Sequence, residues 1–199
     1  FDAVKNFYCF YPELYKGKLN AVPVEKIQKD GDCANILRQI FELNHAELTY
    51  PEKYIYFSSV GDSEGGRPIG ELELLKDLAQ LIGKDHLLVK VHPRDDVNKY
   101  ISEGFKVDRN SSIPWESIQI SGDFCQHVFL TAISTSVLTI TLLQEKAPKV
   151  FYLYKMCDLS GNIPAKAAME KLSFLFDSGF LKEKAKNIRI AENLEDILS

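Results

Sequence analysis

From Tyr54 onward the chain alternates short apolar runs with amphipathic stretches, and this alternation limits the folds open to it. Tyr54-Ile55-Tyr56-Phe57-Ser58-Ser59 reads as a strand, and residues 69–82 as a helix with Leu72, Leu75, Leu78, Ala79 and Ile82 turned inward. Further strands are expected at residues 87–92, 105–107, 128–133, 149–154 and 188–190. Helices are expected between them at 96–102, from Pro114, at 137–145 and at 163–176, with a last one from Glu192. Uninterrupted apolar strands suit burial on both faces, as in parallel sheets. Strands separated by helices form right-handed crossovers. The sequence therefore predicts an α/β fold, a Rossmann-like parallel sheet with helices on both faces, over residues 51–199.

Residues 1–50 read differently. A strand is expected over 3–11, a turn near Lys16-Gly17-Lys18, and a helix over 33–43 with Asp32 as its N-cap. Ile36, Leu37, Ile40 and Phe41 would form that helix's inner face, and residues 44–53 a linker. Trp115 and the aromatics Phe7, Tyr8, Phe10, Tyr54, Tyr56 and Phe57 are read as core.

Composition removes several function classes. A net charge of -4, without a Lys/Arg run, leaves no footprint for nucleic acid. No apolar segment approaches the roughly 18 residues of a membrane span, and no signal peptide is visible. Cys9, Cys33, Cys125 and Cys157 are scattered, which suits reduced thiols in a cytoplasmic protein. The histidines are equally dispersed, so no metal site is expected.

In open α/β sheets ligands bind beyond the carboxyl ends of the strands. Three such loops carry polar groups suited to an anionic nucleotide. In Asp62-Ser63-Glu64-Gly65-Gly66, glycines admit close backbone approach and the carboxylates can accept a proton or bind a hydroxyl. The loop is neither G-x-G-x-x-G nor a P-loop, and a polar turn is its bland alternative. His92-Pro93-Arg94 offers an imidazole that can donate to a phosphate oxygen or protonate a leaving phosphate. Its alternatives are a backbone-bonded histidine and an Arg94–Asp95 pair. Ser134-Thr135-Ser136 opens a helix, where hydroxyls and unpaired N–H groups suit an anion, or serve ordinary capping. Glu116, after Pro114-Trp115, can hold a ribose diol or stand solvated.

Ser63-Glu64-Gly65, His92-Pro93 and Thr135-Ser136, in that order at strand ends, give the chain a resemblance to bacterial sialyltransferases and polysialyltransferases of the two-domain GT-B type. It resembles most the lipooligosaccharide sialyltransferase group, glycosyltransferase family 52. Pro114-Trp115-Glu116 is similar to that family's ribose-binding segment, and Phe10-Tyr11-Pro12-Glu13-Leu14 to its approach to the linker. The resemblance implies inverting transfer of sialic acid, or a related nonulosonate, from a CMP-activated donor to a surface glycan hydroxyl. It implies Glu64 or Asp62 as base and His92 as stabiliser of the departing phosphate. Gly65, Pro93, Arg94, Glu116, Ser134, Thr135 and Ser136 would bind the donor, with no cofactor or metal. Ser63 stands where that family usually has an acidic residue, which leaves the choice between Glu64 and Asp62 open. The implied partners are the CMP-sugar and a glycan acceptor. Peripheral contact with the inner membrane and homodimerisation are compatible with it. A complete GT-B enzyme has a full N-terminal domain, so residues 1–50 are expected to be the remnant of an acceptor-side domain and its linker. The alternatives are a transferase using another nucleotide-sugar, and an inactive nucleotide-binding module of capsule or lipooligosaccharide assembly.

Overall fold

The computed structural model of the protein describes residues 4–28, 31–43, 48–60, 67–108, 110, 112–144 and 147–199. Strands β1 (Asn6–Cys9) and β2 (Asn20–Pro23) pair in parallel as a small two-stranded sheet. Helix α1 (Asp32–Ile40) follows.

The main sheet begins with β3 (Tyr54–Phe57). It continues through α2 (Glu71–Ile82), β4 (Leu87–Lys90), α3 (Val97–Ser102), β5 (Lys106–Val107), α4 (Trp115–Ser121) and β6 (Val128–Thr131). After β6 come α5 (Ser136–Leu143), β7 (Lys149–Tyr152), α6 (Ile163–Asp177), α7 (Phe180–Lys184) and β8 (Ile188–Ile190). The six strands are ordered β5-β4-β3-β6-β7-β8 and every pair is parallel. This is the doubly wound, Rossmann-like α/β arrangement. The chain winds to one edge through β4 and β5, returns, and winds to the other edge through β7 and β8. Its reversal lies between β3 and β6.

Alternating side chains explain why both faces are covered. Ile55, Phe57, Phe129 and Tyr152 point into one core with α4, α5 and α6, while Tyr54, Tyr56, Val89 and Leu130 point into the other with α2 and α3. All four residues of β3, of β4 and of β6 are buried, Lys90 included. Ala34, Leu43 and Leu48 join the first of these cores.

Several local expectations are corrected. Asp32 is the first residue of α1, where its carboxylate complements the helix dipole, and Gly31 holds the cap position. The buried stripe of α1 runs through Ala34, Leu37 and Phe41, leaving Ile36 and Ile40 at 54% and 64% exposed. Strand β2 was not expected, being four residues long and ending in proline. Phe7, Tyr8 and Phe10 are exposed rather than core, although Phe7 stacks on Tyr15 at 4.4 Å. Near the carboxyl end, the expected helix is a tight 3-10 turn over Leu194–Leu198, fixed by an Asn193–Asp196 capping box. Among the described residues no helix is long and apolar enough to cross a membrane.

Candidate functional site

Strand β4 stops at Lys90 because the ladder changes partners there. Ser58 N–H donates to the Lys90 carbonyl at 3.1 Å, and the next amide, His92 N–H, donates to the Ser58 hydroxyl at 2.8 Å. Pro93 then turns the chain, and Asp95 N–H closes on the His92 carbonyl at 2.8 Å. Arg94 N–H donates to His92 Nδ1 at 3.1 Å, so the neutral ring carries its proton on Nε2. The imidazole is thereby oriented by its own turn.

The β6 end is built in a similar way. Thr131 donates to the Phe57 carbonyl and accepts from Ser134 N–H, both at 2.9 Å. This ties the chain after β6 to the end of β3. Ser136, the first residue of α5, donates its N–H to Ser134 Oγ at 3.4 Å, while Tyr152 OH holds the Ser134 carbonyl at 3.1 Å.

Opposite these ends, α4 is anchored by Trp115. Its ring packs at 4.7 Å from Phe57 and 5.1 Å from Phe124, and its indole N–H donates to Gln119 at 3.0 Å. Burying Trp115 leaves Pro114 and Glu116 turned toward the strand ends.

A cleft of about 310 Å³ opens between these elements, beside the reversal of the sheet. His92 and Pro93 line it from the turn after β4, Ser134 and Ser136 from the junction of β6 with α5, and Glu116 from α4. Five expected site residues from three separate segments thus share one cavity. Ligands of doubly wound sheets bind at this position. Arg94 and Thr135 are exposed and lie outside the lining. The carboxylate of Asp95 instead takes Lys99 at 2.9 Å and Tyr100 OH at 2.7 Å. Asp62, Glu64 and Gly65 lie outside the described residues.

The cleft also contains residues not picked out from the sequence. Lys90 lines it with its ammonium buried, 3.0 Å from Asp108 and donating to the Asn110 carbonyl at 3.0 Å. Asp108 accepts further hydrogen bonds from Asn110 N–H at 3.0 Å and Tyr50 OH at 3.3 Å. A signal for Lys90 existed: it is the one charged residue in Leu87-Leu88-Val89-Lys90-Val91, two positions before His92. Beneath the β3 end, the buried Glu71 carboxylate accepts from Tyr56 OH at 2.9 Å and from Ser59 N–H at 3.0 Å.

Burial holds the hydroxyls of Tyr56, Tyr100 and Tyr152 above their ordinary range, with the charge of Glu71 adding to the effect at Tyr56 and Tyr100. Unfolded tyrosines ionise near 10, so as pH rises through that value the unfolded state loses protons that the native state keeps. The stability they contribute is complete below about pH 10 and is lost above it, at about 1.4 kcal/mol per pH unit for each tyrosine. Urea unfolding between pH 8 and 11 should show a level followed by this decline. Equal stability at pH 9 and 11 would contradict it.

Among the described residues no group of three or more His, Cys, Asp or Glu is placed to hold a metal. All four cysteines are free thiols. No protein-family model and no curated protein matches the chain.

Proposed function

We propose that this chain is the nucleotide-binding half of an inverting, sialyltransferase-like glycosyltransferase that uses a CMP-activated sialic acid or related nonulosonate. One observation carries this reading. The His-Pro, Ser-x-Ser and Pro-x-Glu segments, far apart in sequence, line one cleft at the reversal of the sheet.

Each group has a role suited to its chemistry. Ser134 and Ser136, at the start of α5, offer hydroxyls beside a helix N-terminus, where phosphate is favoured. Glu116 accepts hydrogen bonds from the ribose diol. His92 donates through Nε2–H to the phosphate of departing CMP and balances charge as it develops. The acceptor oxygen forms its bond to the anomeric carbon as the bond from that carbon to the CMP phosphate oxygen breaks. Glu64 or Asp62 takes the acceptor proton, an assignment that rests on the sequence.

Thermal shift with CMP, UDP and GDP, together with cleavage of CMP-sialic acid, tests the proposal. At a hundredfold excess over Kd, CMP should stabilise the fold by about 2.7 kcal/mol. For a domain of this size that corresponds to roughly 2–4 °C in Tm per kcal/mol. UDP or GDP should give smaller shifts. A larger shift with either would favour a different nucleotide-sugar donor, and CMP binding without donor cleavage would indicate a non-catalytic module.

A further inference from the structure

We propose that Tyr100 is a positioning residue for His92, holding the His92–Asp95 turn through Asp95 so that the imidazole keeps its proton on Nε2. The proposal rests on the function given to His92 above.

Tyr100 lies on α3, the helix that follows the His92-Pro93 turn, and is fully buried within the core formed by α2 and β4. A phenylalanine would fill the same space. The hydroxyl instead donates to Asp95 Oδ2 at 2.7 Å, and the Asp95 side chain is itself almost fully buried. Asp95 closes the turn that begins at His92. Ser58 Oγ accepts the His92 N–H at 2.8 Å, and Asp95 donates its N–H to the His92 carbonyl at 2.8 Å. The backbone donor and acceptor of His92 are therefore both held, the acceptor by the residue whose carboxylate the Tyr100 hydroxyl fixes.

These bonds fix the turn, with Tyr100 acting on its Asp95 end. Within it Arg94 N–H meets Nδ1 at 3.1 Å, the contact that keeps the ring proton on Nε2. A buried hydroxyl must be hydrogen-bonded, so loss of one link disturbs the others. Lys99, 2.9 Å from Asp95 Oδ1, keeps that carboxylate in place without Tyr100. The turn should therefore loosen in Tyr100→Phe rather than collapse.

The test uses Tyr100→Phe and two readouts. The first is the imidazole 15N spectrum, with the His92 signals assigned by their absence from His92→Gln. The wild-type spectrum should show the Nε2–H form, and Tyr100→Phe should show both tautomers. The second is a double-mutant cycle on CMP-sialic acid cleavage. Tyr100→Phe should lower kcat roughly tenfold with KM unchanged, and adding it to His92→Ala should cause no further loss. An unchanged tautomer in Tyr100→Phe, or multiplicative losses in the double mutant, would overturn the positioning role. If the wild-type protein neither binds CMP nor cleaves the donor, the proposed function fails, and the tautomer spectrum still decides the role of Tyr100.

Discussion

In donor turnover, His92→Ala is expected to lower kcat for cleavage of CMP-sialic acid about 10²–10⁴-fold, the span a positioned acid supplies. KM should change little, because Ser134, Ser136 and Glu116 remain to hold the nucleotide. Stability should also change little: His92 is half-buried, and its backbone bonds to Ser58 and Asp95 survive truncation of the side chain. His92→Gln separates two ways in which the imidazole can act. Its amide can donate a hydrogen bond but cannot deliver a proton. Equal losses in the alanine and glutamine variants would mark proton transfer to the phosphate, and partial recovery with glutamine would mark hydrogen-bond stabilisation. Full activity of His92→Ala would remove His92 from the chemistry and with it the mechanism.

The main sheet is legible in the sequence because its central strands are apolar on both faces, a pattern that only a covered parallel sheet satisfies. The strand ends are equally visible, since each apolar run breaks at a Ser, His-Pro or Ser-Thr-Ser segment. The inner face of α1 was not legible. Two apolar stripes, Ala34/Leu37/Phe41 and Ile36/Ile40, lie on different sides of the helix, and periodicity alone cannot choose between them. The exposure of Phe7 and Tyr8 and the pairing of β1 with β2 depend on tertiary contacts, which four-residue strands do not encode locally. At the site, the cleft could be inferred from strand ends plus the rule of ligand binding at a sheet reversal. The shell behind it could not. Asp108 reaches Lys90 only because β5 lies beside β4, with Asp108 N–H bonded to the Val89 carbonyl at 2.9 Å. Glu71 and Tyr100 likewise read as ordinary helix residues until α2 and α3 fold against the strand ends.

That hidden shell gives the largest expected effect on stability. In Lys90→Met the side-chain volume is nearly kept, but Asp108 is left as an uncompensated buried charge. The side chains of this pair are only 7% and 2% exposed, so solvent cannot replace the missing ammonium. Breaking a buried pair from one side costs about 3–5 kcal/mol. In urea the midpoint should fall while m stays unchanged, because the surface exposed on unfolding is the same. Adding Asp108→Asn to Lys90→Met should restore more than half of the loss. It removes the stranded charge, and the amide oxygen can still accept from Tyr50 OH and Asn110 N–H, the partners of Asp108 Oδ1. Asp108→Asn alone should be less harmful than Lys90→Met, since the Lys90 ammonium keeps its bond to the Asn110 carbonyl at 3.0 Å. If Lys90→Met loses less than about 1 kcal/mol, the range of exposed ion pairs, the pair is hydrated in solution and the cleft floor is wetter than its burial indicates. A full-sized loss that Asp108→Asn fails to relieve would instead place the damage in the packing of β4 against β5, not in the stranded charge.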